Sequence, residues 1–303
     1  MKNKIAVLIP YFGRFPEWFD MYLYSCSRND FIDFIFFTDC EIPLTVYKNT
    51  IFYATSFESY CNQASTSLGI EFKPSHAYKL CDLRPFYGQI HSDLLLDYDF
   101  WGYGDIDLVY GDLTLIFNQE SLNSYDIFST HHDRLSGHCT LIRKNSQYHT
   151  LCYRIPDWKN KLMDDRHWGL DEVDQTRLVY PELKWVSRWY RYFYRFLGIN
   201  EWRFREIVNS IVRAMSRRFF KEYRTTMLPK DNEIWVYNPR NNRVFAPDMC
   251  ELPYLHFMFF KKTQYAVIEQ YWREGFWQVP FNYDYSSSSN NIVIDNNSIK
   301  IEK

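Results

Sequence analysis

The chain has 303 residues and 46% hydrophobic content, enough to bury the core of one large domain or of one domain with an appendage. A formal net charge of −2 excludes a nucleic-acid binder that works by neutralising phosphates across its surface. Seven cysteines, scattered singly from Cys26 to Cys250 with no Cys-x-x-Cys pair, exclude a zinc knuckle and a disulfide scaffold and indicate a reducing compartment.

Ile5–Pro10 is a continuous apolar run that reads as the buried first strand of a parallel sheet. It is too short for a signal peptide or a membrane span, so the expectation is a cytoplasmic protein, soluble or peripheral to a membrane. A helical stretch around Trp18–Ser27 precedes a second apolar run, Phe31–Thr38, and Ile51–Tyr53 gives a third short strand. His76–Leu96 is helical in pattern, with Pro85 forcing a break or a new start. An apolar segment carrying Asp105-Ile106-Asp107 follows, then Tyr125–Thr130 and His138–Arg143 as further strands. This alternation predicts an α/β fold with a mainly parallel central sheet. Ligands of such sheets sit beyond the carboxyl ends of the strands, where Pro10–Gly13, Thr38–Asp39 and Asp105–Asp107 would meet.

Arg188–Arg224 differs in kind. It holds ten Lys and Arg against three Glu, a local charge of +7 that leaves −9 for the remainder. Interleaved Trp, Tyr and Phe make it a basic aromatic helical region, split near Gly198 and Asn200. It suits either an anionic membrane surface or a solvated face covering the acidic remainder. Beyond Asp284 the serine run Ser286–Ser289 and a short Ile/Val alternation read as a flexible tail with one stray strand.

The most informative feature is Asp105-Ile106-Asp107. In an extended backbone the two side chains leave the same face, two rises of ~3.3 Å apart. Like charges at that spacing repel by about 2–3 kcal/mol at an effective dielectric of 20. An Asp-x-Asp in a solvated loop is commonplace, but here apolar and aromatic residues flank it on both sides. A divalent cation would compensate the repulsion, and oxygen ligands suit Mg²⁺ or Mn²⁺, which bind substrate phosphates.

The stretch Lys73–Tyr87 (KPSHAYKLCDLRPFY), followed some twenty residues later by the Asp-x-Asp segment, resembles GT-A glycosyltransferases, in particular the small bacterial polysaccharide and O-antigen enzymes. The resemblance covers roughly residues 5–180 and is most specific over Lys79–Asp107. It implies a GT-A, Rossmann-like nucleotide-diphospho-sugar transferase fold with an additional C-terminal helical region, and a Mn²⁺ or Mg²⁺ that bridges the phosphates of a nucleotide-sugar. Asp107 would ligate that metal directly, Asp105 would reach ribose or the metal through water, and His256 would be a late third ligand. Lys261 and Lys262 would touch the leaving diphosphate. Lys79 would point to phosphate and Asp82 to sugar or ribose. Pro10, Tyr11 and Asp39 would meet the base, and His138 would enter a strand beneath the sugar. Asp171 and Glu172 begin a helix, where acids complement the helix dipole; by resemblance they are candidates for the base that deprotonates an acceptor hydroxyl.

The implied organisation is a nucleotide-sugar core over 1–187, the basic aromatic region over 188–228, a segment over 229–283 that completes the active site, and the tail over 284–303. The implied partners are a nucleotide-sugar, most simply a UDP-hexose, and a glycan or lipid-linked glycan at the inner face of the plasma membrane. A sugar nucleotidyltransferase is the nearest alternative, though only Gly13-Arg14 follows the first strand where those enzymes carry a Gly-rich loop. A non-catalytic carbohydrate-binding protein, for which a 20% aromatic content would suffice, is the other.

Overall fold

A computed structural model describes residues 3–180, 198, 200, 203, 216–227, 232–257, 275–281 and 283–302. Strand β1 (Ile5–Pro10) explains the layering, because its alternate side chains enter different cores. Ala6 and Leu8 face one cluster, and Ile5, Val7 and Ile9 face another. Parallel neighbours β2 (Ile32–Thr38), β3 (Thr50–Ala54) and β4 (Phe100–Gly104) repeat the pattern: Ile35, Phe37, Trp101 and Tyr103 on one face, Phe34, Phe36 and Phe100 on the other. Burial on both faces is why these segments read as unbroken apolar runs.

Counting also β6 (Ile127–Ser129), β7 (Cys139–Arg143) and β8 (Arg218–Phe220), the main sheet has seven strands in the order β3-β2-β1-β4-β7-β6-β8, and β5 (Leu108–Tyr110) lies outside it. Strand β7 runs antiparallel to both of its neighbours and β6 pairs with β8 in parallel, so one strand is reversed in a mainly parallel sheet. Helix α1 (Phe19–Ser27) covers one face with Phe19, Tyr22, Leu23 and Cys26. Helix α2 (Phe57–Leu68), a 3₁₀ segment (Ala77–Phe86) and α3 (Tyr87–Ile90) cover the other. Pro85 is accommodated inside the 3₁₀ segment, and the α-helix begins only after it.

A second, wholly antiparallel sheet comprises β9 (Trp235–Asn238), β10 (Arg243–Phe245), β11 (Glu251–Leu252), β13 (Ile292–Ile294) and β14 (Ile299–Ile301), in the order β11-β10-β9-β13-β14. It packs on the opposite side of α1, against Trp18, Met21 and Tyr24, so α1 is buried between two sheets. Strand β12 (Tyr254–His256) leaves it to pair antiparallel with β5.

Three expectations are corrected. The segment after Asp284 is not a flexible tail: Ile292, Ile294 and Ile299 are fully buried in the second sheet. Asp105–Asp107 is not within a strand but is the bend between β4 and β5. Residues 218–220 are an edge strand, not basic helix. Arg218 there is 1% exposed, donates to the Val179 carbonyl and lies over the Tyr180 ring at 4.5 Å. Most of the rest of the 188–228 region lies outside the described residues. No helix among the described residues is long and apolar enough to cross a membrane.

Because Ile294 is integral to that sheet, Ile294→Ala is expected to lower unfolding stability by ~2–5 kcal/mol in urea titration. A loss under ~0.5 kcal/mol would be the behaviour of a loose tail.

Candidate functional site

From β1 the chain continues to β2 on one side of it, while β4 lies on the other, so the strand order reverses between β1 and β4. Such a switch point opens a crevice beyond the sheet edge. The loop after β1 forms one lip. Tyr11 N–H bonds the Phe37 carbonyl (2.9 Å), and Gly13 N–H bonds Asp39 Oδ1 (2.8 Å). Gly13 has φ +108, a conformation L side chains rarely adopt. Asp39 therefore ties the loop down with one oxygen, while the Tyr11 hydroxyl donates to the Arg14 carbonyl (2.9 Å).

The Asp105–Asp107 bend is the other lip and is pinned residue by residue. Asp105 N–H donates to the His138 carbonyl (3.3 Å), the buried Trp18 indole to the Ile106 carbonyl (2.9 Å), and Phe257 N–H to the Asp107 carbonyl (3.0 Å). The β5–β12 ladder sets His256 opposite Leu108, next to the bend. His256 Nε2 consequently lies 3.4 Å from Asp107 Oδ2, and ligand atoms of Asp105, Asp107 and His256 all fall within 4.8 Å of one another.

Ligands ~2.0–2.2 Å from an octahedral ion are separated by distances of this order, and two carboxylates with one imidazole suit Mn²⁺ or Mg²⁺. The three residues fit a divalent cation. His138 does not join them. Its ring stacks on that of His256 at 4.1 Å and 23° from parallel, outside the group of three. Burial, then His256 and His131, hold the His138 imidazole well below its ordinary range, and its Nε2 has no hydrogen-bond partner among the described residues.

Charge balance within the protein differs from the expectation in one respect: Asp105 is met by Arg84. The guanidinium donates to Asp105 Oδ1 with one arm and to Asp171 Oδ2 with the other (2.9 Å). Burial opposes its charge, but Asp105 and Asp171 outweigh burial and keep it firmly protonated. The acids that the sequence places at a helix start lie on a π-turn, Leu170–Asp174, entered through Gly169. Asp171 is buried and Glu172 is exposed. Glu172 N–H donates to Asp171 Oδ1 (2.9 Å), and Glu172 Oε1 accepts the Gly137 amide (3.0 Å). A Cβ on Gly137 would stand 2.8 Å from Glu172 Oε1 and 2.9 Å from Arg84 Nη1, so this glycine makes room for the constellation. Sequence reasoning did not single out Arg84 or Gly137. Arg84 sits among the residues that carry the family resemblance, but nothing local announces its two partners.

Lys79 and Asp82 are placed differently from the expectation. Both are fully buried, paired at 2.9 Å, and turned onto the backbone of residues 161–170, not toward the crevice. Lys261 and Lys262 lie outside the described residues.

Asp171 gives the site a pH signature. Burial raises its carboxyl, Arg84 lowers it, Glu172 raises it, and the result is a rise from 3.8 to about 6. Between those values the folded protein holds a proton that the unfolded chain has released. The stabilisation from this group is complete at lower pH and is lost as pH rises through about 6. The shift corresponds to at most ~3 kcal/mol. Asp171→Asn is therefore expected to gain stability relative to the unsubstituted protein between about pH 4 and about pH 8, read as the difference in urea midpoints. A pH-independent difference would mean that Asp171 ionises as in an open chain.

No curated protein matches the chain. Among solved structures, the apo-form glycosyltransferase GlyE of Streptococcus pneumoniae TIGR4 aligns at 13% identity and a TM-score of 0.29, over 59% of this chain and 43% of that one. A likeness that slight carries no argument about activity, and this chain spans under half the length of that enzyme. The sequence profile that does match runs over residues 7–286 and takes in both lips of the crevice, Arg84, the acid pair and His256; by that match the chain belongs to the Family of unknown function (DUF6625).

Proposed function

We propose that the protein is a metal-dependent glycosyltransferase of the GT-A type, which moves a hexosyl group from a nucleotide-sugar, most simply a UDP-sugar, to a glycan or lipid-linked glycan. The observation that carries this reading is the convergence of Asp105, Asp107 and His256 at the switch point of a mainly parallel sheet. Asp105, Asp107 and His256 would hold Mn²⁺ or Mg²⁺. Such an ion supplies neutralisation of the charge that develops on a departing diphosphate.

The protein's own groups account for the remainder. Tyr11 and the Pro10–Gly13 loop, fastened by Asp39, offer a wall for the base. His138, neutral and buried, floors the sugar side of the crevice. Lys261 and Lys262 are proposed for the diphosphate. Of the two acids, Asp171 already accepts from Arg84 and from Glu172 N–H, so its part is to orient Arg84. Glu172, exposed at the rim, is the residue able to take the acceptor hydroxyl proton in an inverting transfer. A lipid-linked acceptor at the inner face of the plasma membrane would suit the basic aromatic region over 188–224.

Calorimetric titration with UDP is expected to show binding strengthened by Mn²⁺, and Asp107→Ala is expected to abolish that increment. Equal affinity with and without the metal would sink the metal-dependent reading. For the chemistry, Glu172→Gln should lower kcat by ~10²–10⁴ while Mn²⁺-dependent UDP binding persists. Retention of full turnover in that variant would remove Glu172 from the mechanism.

A further inference from the structure

We propose that the buried Lys79–Asp82 ion pair is a positioning device, which holds the Trp168–Leu170 backbone so that Asp171 and Glu172 face the Asp105–Asp107–His256 centre. The part played by the acid pair rests on the glycosyl-transfer reading above; the geometry of the device does not.

Both side chains are wholly inaccessible. Lys79 Nζ uses all three of its donors: on Asp82 Oδ2 (2.9 Å), the Lys161 carbonyl (2.7 Å) and the Arg166 carbonyl (2.5 Å). Asp82 Oδ2 also accepts Trp168 N–H (2.9 Å), and Oδ1 accepts Leu170 N–H (3.0 Å). The two amides flank Gly169, whose φ of +66 turns the chain between them.

As a means of stabilising a core this is a poor choice. Desolvating two ions costs several kcal/mol each, and an apolar pair of similar volume is often the more stable solution. What an apolar pair could not do is satisfy two backbone donors and two backbone acceptors spread over residues 161–170, and each left unmade would cost ~1–3 kcal/mol. The pair therefore specifies the path of residues 161–170. The next two residues along that path are Asp171, which reaches Arg84, and Glu172, which reaches the Gly137 amide.

The 3₁₀ geometry of Ala77–Phe86 makes one short segment serve both ends of the device. With three residues per turn, Lys79 and Asp82 eclipse on one face and grip the turn, while Arg84, two positions on, leaves from another face toward Asp105 and Asp171. The acid pair and its arginine are thus set from a common base.

Asp82→Asn tests this, because the amide keeps the size of the carboxylate but turns a donor either onto Lys79 and Trp168 N–H together or onto Leu170 N–H. The rate is normalised to the number of Mn²⁺-binding sites, so that a loss of folded protein does not register. The expected result is a fall of ~10²-fold in kcat per site and a displaced acid limb of the pH–rate profile, with KM for the nucleotide-sugar and Kd for Mn²⁺ within about two-fold. Unchanged kcat per site and an unchanged profile would overturn the proposal, leaving the pair a structural element. A raised KM with kcat preserved would also overturn it, by placing Asp82 on the nucleotide.

Gly169→Ala bends the same turn without touching the ion pair, since its Cβ would stand 3.3 Å from Val173 Cγ2 in a backbone region L residues disfavour. It should show the same separation of kcat from KM, and it decides the matter if Asp82→Asn does not fold; ordinary kcat in it overturns the proposal. A wild type that turns over no nucleotide-sugar would instead count against glycosyl transfer. The device is then read from hydrogen exchange. Protected Trp168 and Leu170 amides that become labile in Asp82→Asn support it, and amides already labile in the wild type overturn it.

Discussion

Asp105, Asp107, Asp171 and Glu172 are carried by two distant segments and gathered at one rim, where mutual repulsion at an effective dielectric near ~20 amounts to a few kcal/mol per close pair. The Arg84 guanidinium is what allows that gathering in the protein itself. It is only 12% exposed, it stays charged because Asp105 and Asp171 outweigh its desolvation, and its forked donors reach both carboxylates at once. One lip of the crevice and the turn with the acid pair are thereby held in a fixed relation. A lysine, with a single ammonium, could not span the two in the same way.

Arg84 is supported from two sides. Behind it the 3₁₀ segment is locked by Leu80, Leu83 and Phe86 in the main core and by the Lys79–Asp82 grip on residues 161–170. In front, the Asp-x-Asp bend hangs on three hydrogen bonds, two between backbone groups and one from the Trp18 indole. The partner His256 arrives on β12, which follows β11 of the antiparallel sheet in the chain and pairs with β5 in a separate two-stranded ladder. The second sheet is thus more than an appendage. By clamping α1 from the far side it fixes Trp18, whose indole holds the carbonyl between the two aspartates.

The central strands were legible because their burial on both faces writes itself as Ile5–Pro10 and Phe31–Thr38, runs with no polar alternation to confuse them. The meeting of the β1, β2 and β4 ends followed from parallel order alone. The residues after Asp284 misled for a physical reason. A serine-rich turn before two three-residue strands looks like disorder when the strand that pairs with them, Trp235–Asn238, is more than fifty residues away. Lys79 and Asp82 misled in the opposite direction: charged side chains in a family-like stretch suggest a ligand, whereas here their partners are backbone groups, which no sequence pattern announces.

The amino-acid sequence by itself determined the layers and the approximate edge of the site, because side-chain alternation and apolar runs are local properties of the chain. It also marked Asp105, Asp107 and His256 as metal-ligand types. Only the tertiary structure decided that these three converge, that Arg84 is shared between Asp105 and Asp171, and that Gly137 leaves room for both. Those outcomes depend on distances between residues remote in sequence, and such distances are set by strand pairing and core packing, not by the neighbours of any one residue.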